Sequence, residues 1–319
     1  MKTENTRVAA LRDGTRPFLV DSGLETWMSF VEGFDLPLFG AFHLLGQDKG
    51  RTALRAWFLR HIRIAQAHGT GFVLDTVTWR ASQGWGHQLG LTRYDVALIN
   101  IEAARFAATL RHEMETPDCP MPINGVIGPR GDGYILDAAL TPEDALAYHR
   151  HQAEALRAGG VDMLSAITMT HTGEAIGIAL AAAELGLPCV ISFTVETDGR
   201  LPSGETLADA IAATDAATGA GPLFYMVNCA HPSHFRGVLS GDWLHRIGGI
   251  RANASCRSHA ELEASETLDA GDPLALAEDY AALDRVLPNL RLRGGCCGTD
   301  HRHIEAIAAR HAGGHADAA

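Results

Sequence analysis

The chain reads PINGVIG at residues 122–128, TPEDALAYHRHQAEALRA at 141–158 and MLSAITM at 163–169. The first and third segments are short and almost continuously apolar, which is typical of parallel strands covered on both faces. The middle segment predicts a helix, because Thr141 is a good N-cap, Pro142 suits the first helical position, and a Gly-Gly pair follows the last residue. Together they predict a strand–helix–strand unit with parallel strands.

The same alternation continues along the chain. Six further apolar runs lie at 18–23, 71–77, 189–195, 223–229, 250–256 and 290–297. Further helical patterns lie at 52–68, 94–112, 172–185, 203–218, 233–246, 272–287 and 301–311. Eight strands alternating with eight helices predict an α/β protein with a (β/α)8 TIM barrel. An open doubly wound sheet is the alternative, but no G-x-G-x-x-G motif follows an early strand.

Composition and charge narrow the classes of protein. The 319 residues are 46% hydrophobic, and 26 Lys and Arg against 38 Asp and Glu give a formal net charge of −12. No composition break divides residues 1–319, so we expect a single domain, with 312–319 as a disordered tail. We expect a cytoplasmic protein without a membrane span, because no run of about 18 apolar residues and no signal-peptide pattern is present. An acidic chain without a basic stripe is not typical of nucleic-acid binding, and the oligomeric state stays open.

The six cysteines are the residues most suggestive of chemistry. Without a secretion signal, metal binding or a reactive thiol is favoured over a disulfide framework. Cys229 ends the sixth apolar run, and Cys296 and Cys297 end the eighth. Because active sites of (β/α)8 barrels lie at the carboxyl ends of the strands, these three thiols should meet there. The remaining cysteines, which we expect to be bystanders, are Cys119, Cys189 and Cys256.

The adjacent pair Cys296–Cys297 can share one ion only if the backbone leaves strand geometry, because neighbouring side chains of a strand point to opposite faces. Gly294, Gly295 and Gly298 surround the pair and allow this. Three thiolates with Zn–S bonds of about 2.3 Å leave a fourth tetrahedral position open, which is typical of a catalytic site. The sequence therefore predicts a Zn²⁺ site, with a vicinal disulfide or two buried small residues as alternatives.

A zinc ion held by three thiolates favours one kind of reaction. The three negative charges weaken the ion as a Lewis acid, so activating water for hydrolysis is a poor use of the site. A substrate thiol at the open position would stay deprotonated near neutral pH and nucleophilic. We expect this sulfur to attack an alkyl group, with departure of a neutral leaving group. A structural zinc site is the alternative, although such sites usually have a fourth protein ligand.

Several segments resemble the homocysteine S-methyltransferase family. MVNCAHP at 226–232 and GGCCGTDHRHI at 294–304 look like its zinc signatures. DSGLET at 21–26, INGVIGPRG at 123–131 and SFTVETDGRLPSGETL at 192–207 are similar to further family segments. The resemblance implies a (β/α)8 barrel, zinc held by the same three cysteines, and the homocysteine sulfur as fourth ligand. It also implies a small sulfonium or quaternary ammonium methyl donor and methionine as the product.

Two positions depart from the family pattern. Val77 stands in place of the Asn of the usual Thr-Asn-Thr-Phe segment, and Ile167 in place of the Glu of a Glu-Thr or Glu-Tyr pair. The resemblance implies that this Glu holds the substrate amino group. A thiol other than homocysteine is therefore an alternative acceptor. We also consider a demethylase or lyase reaction at the same zinc, and a redox role for a Cys296–Cys297 disulfide.

Five residues are expected to contact the substrates. Asp21 is the remaining candidate for orienting the acceptor through its ammonium group, and Trp79 could offer an aromatic face to the onium donor. The other candidates are Thr78, Thr168 and Asn228. These small-molecule partners need no acid–base pair, since a neutral sulfide or amine leaves without protonation. Proximity and charge neutralisation should supply most of the acceleration.

Overall fold

The computed structural model describes residues 5–136 and 138–316. Within them the strands are β1 (Phe18–Leu19), β2 (Gly71–Phe72), β3 (Leu74–Asp75), β4 (Ile123–Ile127), β5 (Met163–Met169), β6 (Cys189–Phe193), β7 (Tyr225–Asn228), β8 (Ile247–Ala252) and β9 (Leu292–Gly295). All of them belong to one sheet in the order β2-β1-β9-β8-β7-β6-β5-β4-β3, and every neighbouring pair is parallel.

The sheet closes on itself, because its two ends, β2 and β3, are separated only by Val73. The Val73 N–H donates to the Leu19 carbonyl at 2.8 Å, and the Leu74 N–H donates to the Pro122 carbonyl at 3.0 Å. Residues 71–75 therefore act as one strand between β1 and β4. The sheet has eight strand positions around a barrel, and the prediction of a TIM-barrel fold is confirmed.

Helices surround the barrel and connect successive strands. In the described residues they are α1 (Thr6–Asp13), α2 (Leu24–Phe30), α3 (Asp48–Ala67), α4 (Gln83–Gln88), α5 (Arg93–Met114), α6 (Pro142–Gly159), α7 (Thr172–Leu185), α8 (Leu207–Thr218), α9 (Pro232–Phe235), α10 (His259–Glu263), α11 (Pro273–Asp284) and α12 (His301–Ala316). Short 3-10 helices lie at Pro37–Phe39, Ala41–Gly46, Arg236–Val238 and Asp242–Arg246. None of the helices described is long and apolar enough to cross a membrane.

The β4–α6–β5 unit shows why the local sequence folds in this way. The Thr141 hydroxyl accepts a hydrogen bond from the Asp144 N–H at 3.1 Å and so caps the start of α6. At the other end Gly160 adopts a φ of 93°, a left-handed conformation that favours glycine. The chain then returns to the sheet, where β5 pairs in parallel with β4.

Two predicted segments differ from the structure. The helix expected at 233–246 is instead the single turn α9, followed by two 3-10 helices. Gly241 interrupts this segment with a φ of 105°, which no α-helix contains. The sequence also predicts a disordered tail from residue 312, but α12 continues to Ala316. Residues 317–319 of that predicted tail lie outside the described residues.

Buried side chains form layers on both faces of the sheet. One apolar cluster, which includes Val73 and Met226, fills the barrel, and a larger one packs between the strands and the helices. Because side chains on one face of a strand recur at every second residue, Asp75 and Asn228 occupy the next inward positions. Both are buried. A polar layer therefore lies above the apolar layer, towards the carboxyl ends of the strands.

Candidate active site

The three cysteines predicted to bind metal lie together at the carboxyl ends of two strands. Cys229 directly follows β7, and Cys296 and Cys297 directly follow β9. Their Sγ atoms all lie within 4.8 Å of one another. Cys229 and Cys296 form a disulfide with Cα atoms 5.3 Å apart, and Cys297 is a free thiol. This corrects the alternative of a Cys296–Cys297 disulfide, because the partner of Cys296 comes from the other strand end.

The backbone at both strand ends brings these sulfurs to one place. Cys229 adopts a left-handed φ of 52°, and Gly298, just after the cysteine pair, adopts a φ of 80°. The Cys229 N–H donates to the Arg251 carbonyl at 3.1 Å, and the Cys296 N–H donates to the Ala252 carbonyl at 2.8 Å. Both cysteine-bearing ends are therefore attached to β8, which lies between β7 and β9 in the sheet.

Two side chains that follow β8 support this arrangement: Asn253 comes directly after the strand, and His259 begins α10. His259 Nε2 donates to the Cys229 carbonyl at 2.6 Å, and Asn253 Nδ2 donates to the same oxygen at 3.0 Å. The His259 ring also stacks on Tyr134, with ring centroids 4.1 Å apart. The Tyr134 hydroxyl lies 3.5 Å from Cys297 Sγ, within hydrogen-bond distance of the sulfur, and burial raises the pKa of Tyr134. Tyr134 thus covers the cysteine cluster from the loop after β4.

The donor set fits a zinc ion. Cysteine sulfurs are typical zinc ligands, and three protein ligands leave one tetrahedral position for a substrate. Reduction of the Cys229–Cys296 bond supplies three thiols at one place. No other His, Cys, Asp or Glu side chains form such a group of three in the part of the chain that the structure describes. Cys256 is exposed and lies outside the cluster.

A cavity of about 400 Å³ opens beside the cysteines at the carboxyl ends of the strands. Such a volume lies in the range of small-molecule sites. The three cysteines form part of its wall. Strand ends on the other sides of the barrel contribute further wall residues, among them Asp75, Val77, Ile167, Thr168 and Arg251.

A buried ion network forms the floor of this cavity. Arg251 donates from Nη2 to Asp21 Oδ1 at 2.7 Å and from Nη1 to Asp75 Oδ2. The second carboxylate oxygen of Asp21 accepts a hydrogen bond from Trp57 Nε1 at 3.0 Å. The second carboxylate oxygen of Asp75 accepts one from Asn124 Nδ2 at 2.8 Å. Burial raises the pKa of Asp21 and raises that of Asp75 to about 6, although Arg251 opposes both shifts. Two carboxylates face one guanidinium, so the floor is negative when both are ionised.

Glu25 adds a further carboxyl group to the cavity wall, from the first turn of α2. No other side chain among the described residues donates a hydrogen bond to this carboxyl group or forms an ion pair with it. Burial raises the pKa of Glu25 to about 7, and the charge of Asp21 adds to the rise while Arg251 and Arg80 oppose it. The same group lies close enough to Cys297 to add to the rise that burial causes in the pKa of that thiol.

Comparison with known proteins identifies the family. The family model described as homocysteine S-methyltransferase matches residues 21–311. The chain belongs to this family. Its structure is similar to those of the homocysteine methyltransferase MmuM from Escherichia coli, with a TM-score of 0.74 and 20% identity for the oxidized form, and 0.74 and 19% for the metallated form. Each alignment covers 96% of this chain and 100% of MmuM, and at this identity it shows a shared fold.

Two of the predicted substrate residues, Asp21 and Trp79, line the cavity, and their polar groups already form hydrogen bonds. Both carboxylate oxygens of Asp21 already accept hydrogen bonds from Arg251 and Trp57. Trp79 donates from Nε1 to the Ile167 carbonyl at 3.3 Å, and the Arg80 guanidinium lies 4.5 Å above its ring centroid. An ammonium group would therefore compete with Arg251 for Asp21, and an onium group would find one face of Trp79 covered.

Of the other three predicted residues, Thr168 and Asn228 are hydrogen-bonded to each other, whereas Thr78 is bonded elsewhere. Thr168 lines the cavity and adopts a left-handed φ of 67°. Asn228 holds this conformation, because its Oδ1 accepts from the Thr168 N–H at 3.0 Å and its Nδ2 donates to the Thr168 hydroxyl at 2.8 Å. Ser192 donates to the same Oδ1 at 2.6 Å. Thr78 is fully buried and donates to the Val126 carbonyl at 2.6 Å.

Val77 and Ile167, the positions that depart from the family pattern, both line the cavity. They give its wall two apolar side chains where the resemblance implies an amide and a carboxylate. Sequence reasoning missed Arg251, Tyr134 and Glu25, which change the polarity of the same cavity. One signal was available for Arg251, because an arginine inside the apolar strand segment IGGIRA predicts a buried partner of opposite charge.

Proposed function

We propose that this protein is a zinc-dependent S-methyltransferase that moves a methyl group from a small onium donor to a zinc-bound thiol. The acceptor we propose is homocysteine, and the product methionine. One observation carries the proposal: the Cys229, Cys296 and Cys297 sulfurs meet on the wall of a small-molecule cavity, in a chain of the homocysteine S-methyltransferase family.

We assign different roles to different residues of this chain. Cys229, Cys296 and Cys297 would hold the ion, which when bound keeps a substrate thiol deprotonated and nucleophilic. Tyr134 and the ring of His259 cover the cluster and restrict the access of water. No residue needs to donate a proton, because a sulfonium or quaternary ammonium donor leaves as a neutral sulfide or amine. The wall and floor of the cavity therefore act by orienting the two substrates.

The charges of the cavity support a cationic donor. Asp21, Asp75 and Glu25 contribute acidic groups to its wall and floor, against the guanidinium groups of Arg251 and Arg80. A donor loses its positive charge when its methyl group leaves, so an acidic wall favours donor binding over product binding. This difference would help the neutral product to depart.

A matrix of acceptors and donors tests the proposal. The freshly reduced full-length protein is loaded with Zn²⁺ and incubated with L-homocysteine or other thiols against S-methylmethionine or glycine betaine, and products are identified by mass. We expect methionine in the homocysteine rows and its loss after zinc is removed by a chelator. Less than about half an equivalent of bound zinc in the reduced protein, or no methyl transfer to any thiol, would contradict the proposal.

A second candidate function is methyl transfer to a thiol other than homocysteine. The observation in its favour is the apolar pair Val77 and Ile167 in the cavity wall, together with an Asp21 whose oxygens are both occupied. The same matrix separates the two candidates. Methyl transfer to another thiol, without transfer to homocysteine from any donor, would support the second candidate function.

A further inference from the structure

Glu25 lies in the same corner of the cavity as the cysteine pair. Gly23 and Thr26, which flank it in the chain, form hydrogen bonds with the loop that follows β9. The Gly23 N–H donates to the Thr299 carbonyl at 3.2 Å, and the Gly298 N–H donates to the Thr26 hydroxyl at 3.3 Å. The start of α2 is therefore fixed against the turn that carries Cys297, and the Glu25 side chain enters the cavity from this fixed position.

Glu25 differs from the aspartates of the cavity in having no side-chain partner among the described residues. Asp21 and Asp75 share Arg251. Asp132 Oδ2 lies 3.9 Å from Arg80 Nη2, whereas the Glu25 carboxyl group accepts a hydrogen bond from its own backbone N–H. Asp269 accepts from Ser255. The Glu25 carboxyl group is thus available to bind a ligand in the cavity.

An ordinary explanation is that an acidic residue in the first turn of a helix is stabilised by the helix dipole. That explanation does not need the carboxyl group to face a cavity. Here the partly buried carboxyl group faces a cavity, where burial disfavours its charge and raises its pKa. A cation in the cavity would supply the missing partner, because an opposite charge nearby favours the ionised carboxylate.

We propose that Glu25 binds the cationic group of a substrate; this rests on the proposed methyltransferase function. The cationic group is either the α-ammonium of an amino-acid thiol or the onium centre of the donor. Both are positively charged nitrogen or sulfur groups that a lone carboxylate attracts, and the test separates them. The role of Glu25 is to position a substrate, and it forms no covalent bond.

The first arm of the test measures binding to the reduced, zinc-loaded full-length protein by calorimetry. The probes are L-homocysteine and 4-sulfanylbutanoate, which lacks the amino group. If the acceptor is the source of the cation, Glu25→Gln should weaken homocysteine binding by about tenfold or more. The affinity for 4-sulfanylbutanoate should stay within about twofold of that of the natural protein. The matched control is Glu263→Gln, because Glu263 is an exposed carboxylate at the mouth of the same cavity.

The second arm measures the KM for glycine betaine, a donor without an α-ammonium. If the donor is the source, Glu25→Gln should raise this KM by about tenfold and leave homocysteine binding unchanged. Glu25→Asp keeps the charge. In the arm where Glu25→Gln has an effect, the Kd or KM of Glu25→Asp should stay within about fivefold of that of the natural protein. Zinc content and melting temperature of all variants are measured alongside.

The outcomes distinguish this proposal from the one on which it rests. A natural protein that binds zinc but no thiol and no onium donor would overturn both. Equal binding by the natural protein and Glu25→Gln in both arms would overturn the role of Glu25 and leave the methyltransferase function standing. If Glu25→Asp weakens substrate binding as much as Glu25→Gln does, the effect comes from side-chain packing and not from charge. That result would also overturn the role of Glu25.

Discussion

The cavity has two halves that are built in different ways. The zinc half consists of Cys229, Cys296 and Cys297, which follow two strands separated only by β8. The substrate half consists of the Asp21–Arg251–Asp75 network with Glu25 and the apolar side chains across the barrel. The first half carries the three cysteines that the resemblance to the family implies as zinc ligands. The second half departs from the family pattern where a substrate would be recognised.

This difference separates the two parts of the proposed chemistry, which are metal binding and substrate recognition. The proposed ligand set for the metal depends on three cysteines at strand ends, and all three lie together. Substrate recognition depends on which charges remain unpaired after folding. Here Arg251 engages Asp21, so the acidic residue that the family pattern suggests is occupied and Glu25 is not. The two halves can therefore be tested separately.

The largest effect should come from the zinc half. Cys297→Ser removes one of three ligands, and we expect most of the bound zinc to be lost. Activity should fall by well over the roughly 10–100-fold that loss of an outer partner of a metal ligand causes. Metal analysis of the reduced protein and product mass measure both effects. Cys256→Ser is the matched control, because Cys256 is an exposed cysteine outside the cluster. Full zinc content in Cys297→Ser would refute the ligand assignment.

The next effect should come from the ion network of the substrate half. Arg251→Met leaves Asp21 and Asp75 buried without their cation, and removing one partner of a buried pair destabilises a protein by about 3–5 kcal/mol. We expect a loss of this size in the free energy of unfolding, measured by urea denaturation of the metal-free reduced protein. Arg257→Met is the control, because Arg257 is about half exposed and lies 3.6 Å from its carboxylate partner. A loss below about 1 kcal/mol would mean that the network relaxes without its arginine.

The two halves also differ in how far the sequence predicts them. The zinc half needs only the order of the strands and the rule that barrel sites lie at their carboxyl ends, so the amino-acid sequence alone groups the cysteines. The floor could not be predicted in this way, because Arg251 pairs with residues 176 and 230 positions away along the chain. Which carboxylate an arginine selects over such a separation depends on side-chain packing, which periodicity does not encode.

The same limit applies to local backbone. Strand and helix patterns located β5 and α7 with their observed bounds. They did not predict that Thr168 adopts a φ of 67°, since a threonine reaches this conformation only when tertiary contacts hold it. Nor did they predict that Gly241 divides the segment after β7. Helical periodicity indicates which face of a segment is apolar. A single glycine in a non-helical conformation can still prevent the segment from forming one helix.

A smaller effect should come from Asn228, which joins the two halves because it precedes Cys229 and holds Thr168. Asn228→Ala leaves the Thr168 N–H buried without a partner, which costs about 1–3 kcal/mol in the free energy of unfolding. KM for the acceptor should rise, since Thr168 lines the cavity. Zinc content should stay at the level of the natural protein. Asn289→Ala is the control, because this partly exposed asparagine makes its hydrogen bond to the His245 carbonyl at the surface. An unchanged KM would show that Thr168 does not contact the acceptor.

The smallest effect concerns the pH dependence of stability behind the substrate half. His61 is fully buried, donates from Nδ1 to the Trp57 carbonyl at 2.9 Å and accepts at Nε2 from the Ser22 hydroxyl at 2.7 Å. Burial lowers its pKa to about 3. Below about pH 6.5 the unfolded chain takes up a proton that the folded protein does not, so the contribution of His61 is full above that pH and is lost as pH falls towards 3.

His61→Gln removes this proton uptake, so the stability difference between the natural protein and the variant should shrink as pH falls. The expected slope is up to about 1.4 kcal/mol per pH unit between pH 6 and pH 4, measured by urea denaturation at each pH. His87→Gln, at an exposed histidine, is the control. A difference that is constant with pH would mean that His61 becomes protonated in the folded protein. In that case the hydrogen bond from Ser22 would break first, because a protonated Nε2 can no longer accept it.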